Sequence, residues 1–255
     1  MRVLCWISPI DWPAVQHVSV RRASAFAAAA VITSAGLPSA AAAEDKLLLG
    51  GGAAIVLHDD ALCTLTTIGR DGAGSLVGFT AAHCGGPGSP VLVEGAEDHG
   101  AVGTVVAADE ALDYAVIEFD PAKVASIADY EGFGIFGIGS TDPVAPVAAE
   151  PGGPEQPADA EHGAVRHACK LGRGTGLTCF DIGPAGVDPA GEEWWQPGDD
   201  GAPVTVNDLL VGMVRDGTVP AGPLTQPGPG IVLFQAILDD VDAKGGPGAG
   251  FGRRS

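Results

Sequence analysis

The chain has 255 residues, 46% of them hydrophobic and 18% charged, with 13 basic against 32 acidic side chains and a formal charge of −19. This apolar content excludes a disordered chain. The acid excess repels phosphate backbones and anionic headgroups, which excludes nucleic-acid binding.

Arg21 and Arg22 precede an apolar stretch from Ala25 to Leu37, followed by Pro38, Ser39 and the small residues Ala40 to Ala43. A basic start, a short apolar run and a small-residue end are the parts of a secretory signal peptide. Residues 1–43 are therefore expected to be cleaved after Ala43. The run is about 13 residues, short of the roughly 20 that span a bilayer. What remains carries ten basic and 31 acidic side chains, a formal charge of −21. It offers no later stretch of transmembrane length, so the mature protein is expected to be secreted or associated with the cell envelope.

Strand-like runs rich in Val, Ile, Leu and Phe recur between turn formers. They are Ala53–Leu57, Leu62–Ile68, Ser75–Thr80, Val91–Glu94, Val102–Ala107, Tyr114–Phe119, Leu209–Val214 and Ile231–Phe234. The 39 glycines and 20 prolines disfavour helix interiors. Many short strands with frequent turns predict an all-β sandwich or barrel. Gln235 to Ala243 has the spacing of a C-terminal helix. Thr141 to His162, dense in Pro, Ala, Gly and Glu, reads as an insertion or mobile loop. The domain is expected over 44–243, with 244–255 as a Gly-rich flexible tail.

Cys5 leaves with the presequence, and Cys63, Cys84, Cys169 and Cys179 remain. An even number in an exported chain suggests two disulfides, although three pairings are open from sequence alone. None of the four lies in a CxxC pair, and their spacing to histidines matches no zinc pattern, so no metal is expected. Gly172, Gly174 and Gly176 lack the following helix that a dinucleotide site needs. They predict a hairpin turn instead.

Four segments carry chemistry, in order. Thr80-Ala81-Ala82-His83-Cys84 follows a strand. Leu112-Asp113-Tyr114-Ala115-Val116-Ile117 begins 29 positions after His83. Cys169 to Cys179 encloses the three glycines. Gln196-Pro197-Gly198-Asp199-Asp200-Gly201-Ala202-Pro203 forms a tight polar loop before another strand. Together they resemble the chymotrypsin/trypsin-like serine proteases, and within them the bacterial streptogrisin-like subgroup. The resemblance implies two six-stranded antiparallel β-barrels with a short C-terminal helix. It implies disulfides Cys63–Cys84 and Cys169–Cys179, and no cofactor.

The same resemblance implies His83 as general base and Asp113 as the buried acid that orients it. Gly198 and Asp200 supply the oxyanion-hole amides, and Asp199 is the acid that braces the loop through a buried ion pair. The departure is Asp200, which stands where the family has its nucleophilic serine. A carboxylate has no proton for imidazole to remove, and its attack on an amide forms a mixed anhydride, which is uphill. A catalytic set of His83, Asp113 and Asp200 is therefore expected to be non-functional. The chain reads as a pseudo-protease, monomeric, with a peptide or protein ligand in the former cleft. The alternative is an active endopeptidase or esterase. An ion pair of Asp200 with His83 or Arg215 is expected to lock the site. Trp194 and Trp195 are expected to pack in the second barrel.

Overall fold

Runs of apolar side chains bury the strands, Leu76–Thr80 at all five positions, and Gly and Pro break the strands at short intervals. The computed structural model describes residues 46–57, 60–139, 166–183, 186–188, 194–215 and 230–252. The expected signal peptide and the Thr141–His162 insertion lie outside the described residues.

The first half contains β1 (Leu47–Leu49), β2 (Ala54–Val56), β3 (Leu62–Thr64), β4 (Thr67–Arg70), β5 (Leu76–Thr80), β6 (Pro90–Val93), β7 (Gly103–Asp109) and β8 (Tyr114–Phe119). All but β1 form one seven-stranded sheet in the order β3-β2-β6-β7-β8-β5-β4. The two ends of that order, β3 and β4, are consecutive in the chain. The run Leu62–Ile68 expected as one strand is bent at Leu65–Thr66, pairing with β2 on one side of the bend and β5 on the other. The bend closes the sheet into a barrel. Leu65, Val77, Phe79, Val91 and Ile117 fill it, each fully buried.

Short pieces follow: β9 (Val124–Ser126), β10 (Asp129–Tyr130), β11 (Phe133–Gly134) and β12 (Gly137–Ile138). The second half contains β13 (Arg166–Gly172), β14 (Gly176–Gly183), β15 (Gly186–Asp188), β16 (Pro203–Val206), β17 (Leu209–Arg215), β18 (Gly230–Leu233) and the helix α1 (Phe234–Lys244). Its sheet runs β12-β17-β16-β13-β14-β15, with β18 also on β17. Among the described residues this sheet is a half-barrel rather than a closed one. Two pairings depart from the expected antiparallel pattern: β1 with β9 and β12 with β17 are parallel. Ala168, Phe180, Val204, Val211 and Val214 form the second core. The predicted helix is present, and its Phe234, Ile237 and Val241 pack into the first core. Among the described residues no helix is long and apolar enough to cross a membrane.

The tail corrects the sequence reading. Its glycines suggest flexibility, yet residues 245–252 fold back onto the first barrel. Gly72 donates its amide to the Ala249 carbonyl at 2.8 Å, and Gly252 donates to the Arg70 carbonyl at 3.2 Å. Phe251 meets Phe79 edge-on at 5.1 Å between ring centres and Phe234 at 6.3 Å. The glycines permit the tight turns that deliver this ring to the core. Phe251→Ala is expected to lower stability by about 2–3 kcal/mol, below the full cost of a buried phenylalanine because the ring is half-buried. A urea midpoint unchanged by the substitution would refute that packing role.

Candidate active site

β5 ends at Thr80, and the chain turns through Ala81 into a single 3-10 turn, Ala82–Cys84. The Cys63–Cys84 disulfide ties this turn to β3. Asp113 immediately precedes β8, which pairs with β5 so that Thr80 faces Ala115. Pairing of these strands therefore lays His83 over Asp113. Asp113 adopts φ 53° and is 1% exposed. Its carboxylate oxygens lie 3.0 and 2.9 Å from His83 Nδ1, and Oδ1 also accepts the His83 amide at 3.1 Å. Both ends of the His83 residue are thus held by one buried carboxylate.

The Gly198–Ala202 loop comes from the second half, just before β16. The bend of the first barrel grips it. Thr64 Oγ1 donates to the Gly198 carbonyl at 2.7 Å, and the Thr64 amide donates to the Asp200 carbonyl at 2.8 Å. Thr66 Oγ1 donates to the Gly201 carbonyl at 2.6 Å. Gly201 has φ +86°, and a Cβ there would overlap the Thr64 carbonyl and Thr80 Oγ1. Only glycine fits this close approach.

Held this way, Asp200 directs Oδ2 to within 3.5 Å of His83 Nε2. Its Oδ1 accepts the indole N–H of Trp195 at 3.1 Å. His83 is therefore flanked by carboxylates on both ring nitrogens. Among the described residues Arg215 makes no ion pair with Asp200; it is buried, and its Nε has no hydrogen-bond partner. Trp194 and Trp195 pack against the second core as expected, with Trp194 tilted on Phe180 at 5.5 Å.

Burial by itself would push His83 down, but hydrogen bonds and charge from Asp113 and Asp200 outweigh it and raise His83 from 6.5 to about 10. An imidazolium at neutral pH follows. The stabilisation that the raised value brings is complete below pH 6.5 and is lost as pH rises through about 10. His83 ring resonances followed by NMR are expected to stay in the protonated position through pH 8, and Asp200→Asn to lower the midpoint. A midpoint near 6.5 in the parent would contradict this geometry.

Asp199, the expected loop brace, is fully buried and meets the equally buried Lys170 Nζ at 2.9 Å. Gly174 and Thr175 amides donate to its Oδ1 at 2.8 and 3.0 Å. Thr175 Oγ1 and the Gln196 amide donate to Oδ2 at 2.8 and 3.0 Å. Burial alone would raise the Asp199 carboxyl; Lys170 and the Thr175 donors outweigh it and hold it below the usual range. Burial pulls the Lys170 ammonium down from its ordinary value against the opposing pull of Asp199. A Cβ at Gly172 would overlap Asp199 Oδ1, so the hairpin backbone approaches the acid closely.

Lys170 is the site residue that sequence reasoning missed. The signal was there: Ala168 and Lys170 share one face of β13, and Ala168 is core, so a charge on that face needs a buried partner. The three-glycine segment is the predicted hairpin turn, with Cys169 opposite Cys179 and joined to it.

No family profile matches the sequence, and no curated protein matches it. Solved structures do. A Nocardiopsis protease superposes with a TM-score of 0.50 at 17% identity, covering 76% of this chain and 96% of that one. Thermobifida fusca protease A superposes with a TM-score of 0.50 at 16% identity, again covering 76% and 96%. At such identities the likeness is one of fold. With its bent-strand barrel, its second curved sheet, its disulfides and its C-terminal helix, the chain has the fold of the chymotrypsin/trypsin-like serine proteases.

Proposed function

We propose that this chain is a secreted trypsin-like protease homologue without peptidase activity, which uses the protease scaffold to bind a peptide or protein. Residues 1–43 are its export signal, and the mature chain acts as a monomer. The observation that carries the reading is the Asp200 carboxylate, 3.5 Å from His83 Nε2 where the family chemistry needs a hydroxyl.

Three physical consequences support inactivity. Asp200 offers imidazole no proton, so no alkoxide-like nucleophile forms. His83, raised to about 10, already holds a proton at neutral pH and cannot act as general base. An oxyanion held by the Gly198 and Asp200 amides would form beside an existing negative charge. Two like charges about 4 Å apart at an effective dielectric near 20 repel by about 4 kcal/mol. That is about a thousandfold in rate.

The test is an assay of the mature parent on casein and on small chromogenic esters, with a serine-directed phosphonate as a label. The parent is expected to be silent and unlabelled. Hydrolysis in the parent that His83→Ala removes would overturn the reading.

A further inference from the structure

Among the described residues outside the candidate active site, one cluster of metal-ligating side chains stands on the outer face of the β13–β14 hairpin. Cys169 faces Cys179 and His167 faces Asp181 in the strand register. Side chains alternate along a strand, so positions two apart share a face. Ala168 and Phe180 point into the second core. His167, Cys169, Cys179 and Asp181 therefore point outward. A ring nitrogen of His167 and the two sulfurs lie within 4.8 Å of one another. His167 Nδ1 lies 3.1 Å from Asp181 Oδ1.

We infer that this face is a redox-gated site for a zinc-class divalent cation, closed to metal while Cys169–Cys179 is a disulfide and open to it once that bond is reduced. The spacing along the chain, nine residues between the cysteines, fits no familiar zinc motif. Strand pairing, not sequence spacing, assembles the donors. Two thiolates and an imidazole are a known zinc donor set, with water in the fourth position. The outward face supplies that water. Asp181 is a positioning residue: by accepting from Nδ1 it leaves the lone pair on Nε2, the arrangement found behind metal-bound histidines. Thiolate donors favour zinc over calcium or magnesium.

The exchange balances simply. A dithiol reductant gives two electrons and two protons to the Cys169–Cys179 bond and becomes a disulfide itself. Metal binding then releases the two thiol protons to solvent. Selectivity comes from access. Cys63 and Cys84 are 3% and 2% exposed, whereas Cys179 is exposed and Cys169 half-buried.

The experiment uses the disulfide-bonded full chain, treated anaerobically with a mild dithiol, with free thiols counted before Co²⁺ and then Zn²⁺ are added. Two free thiols, one Co²⁺ per chain with a thiolate-to-metal charge-transfer band, and displacement by one equivalent of Zn²⁺ are expected. The unreduced chain is expected to show no band. His167→Ala is expected to weaken Co²⁺ binding by at least about tenfold, and Asp181→Asn by about tenfold. Both residues are exposed, at 70% and 57%, so these variants keep the fold. Four free thiols, absence of the band after reduction, a band surviving in Cys169→Ser/Cys179→Ser, or affinity unmoved by His167→Ala would each overturn the site.

Discussion

Asp200→Ser is expected to hydrolyse small esters at least about a thousandfold faster than the parent, which is the rate that relief of the like-charge repulsion alone provides. Two further gains act in the same direction. The hydroxyl introduces a group that imidazole can activate, and loss of a serine nucleophile costs about a millionfold in a well-studied serine protease. Removing one of the two carboxylates that hold the proton on His83 also lowers its midpoint. Asp113 remains within 3.0 Å of Nδ1 and keeps the ring oriented. The substitution should therefore turn on ester hydrolysis and lower the His83 midpoint together. The measurement is initial rates on a chromogenic ester beside the NMR titration of the same variant. A variant whose His83 midpoint falls to the free value while hydrolysis stays at the parent level would show that Asp200 is not what disables the site.

Lys170→Met carries the largest expected loss of stability. Both members of the Lys170–Asp199 pair are fully buried. Removing the cation leaves a carboxylate in the interior with only amide and hydroxyl donors. Breaking a buried pair from one side costs about 3–5 kcal/mol. For a chain of this size that lowers Tm by about 6–20 °C. Asp199 also joins the hairpin tip to the Gly198–Ala202 loop, so the loop should loosen as the pair is lost. The double variant Lys170→Met/Asp199→Asn is expected to be more stable than the sum of its single changes by about 2 kcal/mol, since it removes the orphaned charge. Thermal unfolding within about 2 °C of the parent for Lys170→Met would mean that the pair contributes nothing net.

Much of the site is legible in the sequence because its motifs are local. Thr80 to Cys84 follows its strand directly, and Asp113 sits next to the strand that pairs with it. The Asp200 departure needed only the order of residues in one loop. Eight strand-like runs and the helix were visible as apolar stretches between turn formers. The strands around Cys169 and Cys179 were seen only as a hairpin, because Lys170, Thr178 and Asp181 interrupt their apolar pattern. The tail from Lys244 was misread for a physical reason. Glycine content reports the freedom of an isolated segment, not the burial that Phe251 gains once the first barrel exists.

By itself the sequence determined the fold class, the order of His83, Asp113 and Asp200, and the absence of a hydroxyl where the resemblance requires one. These depend on local apolar pattern and residue identity. Tertiary structure alone decided that Lys170 is the partner of Asp199, that Thr64 and Thr66 hold the loop from across the chain, and that Asp200 settles on His83 rather than on Arg215. Thr64 and Gly198 stand 134 positions apart. No periodicity encodes a contact of that kind, because it arises only where sheets built from distant parts of the chain share one junction.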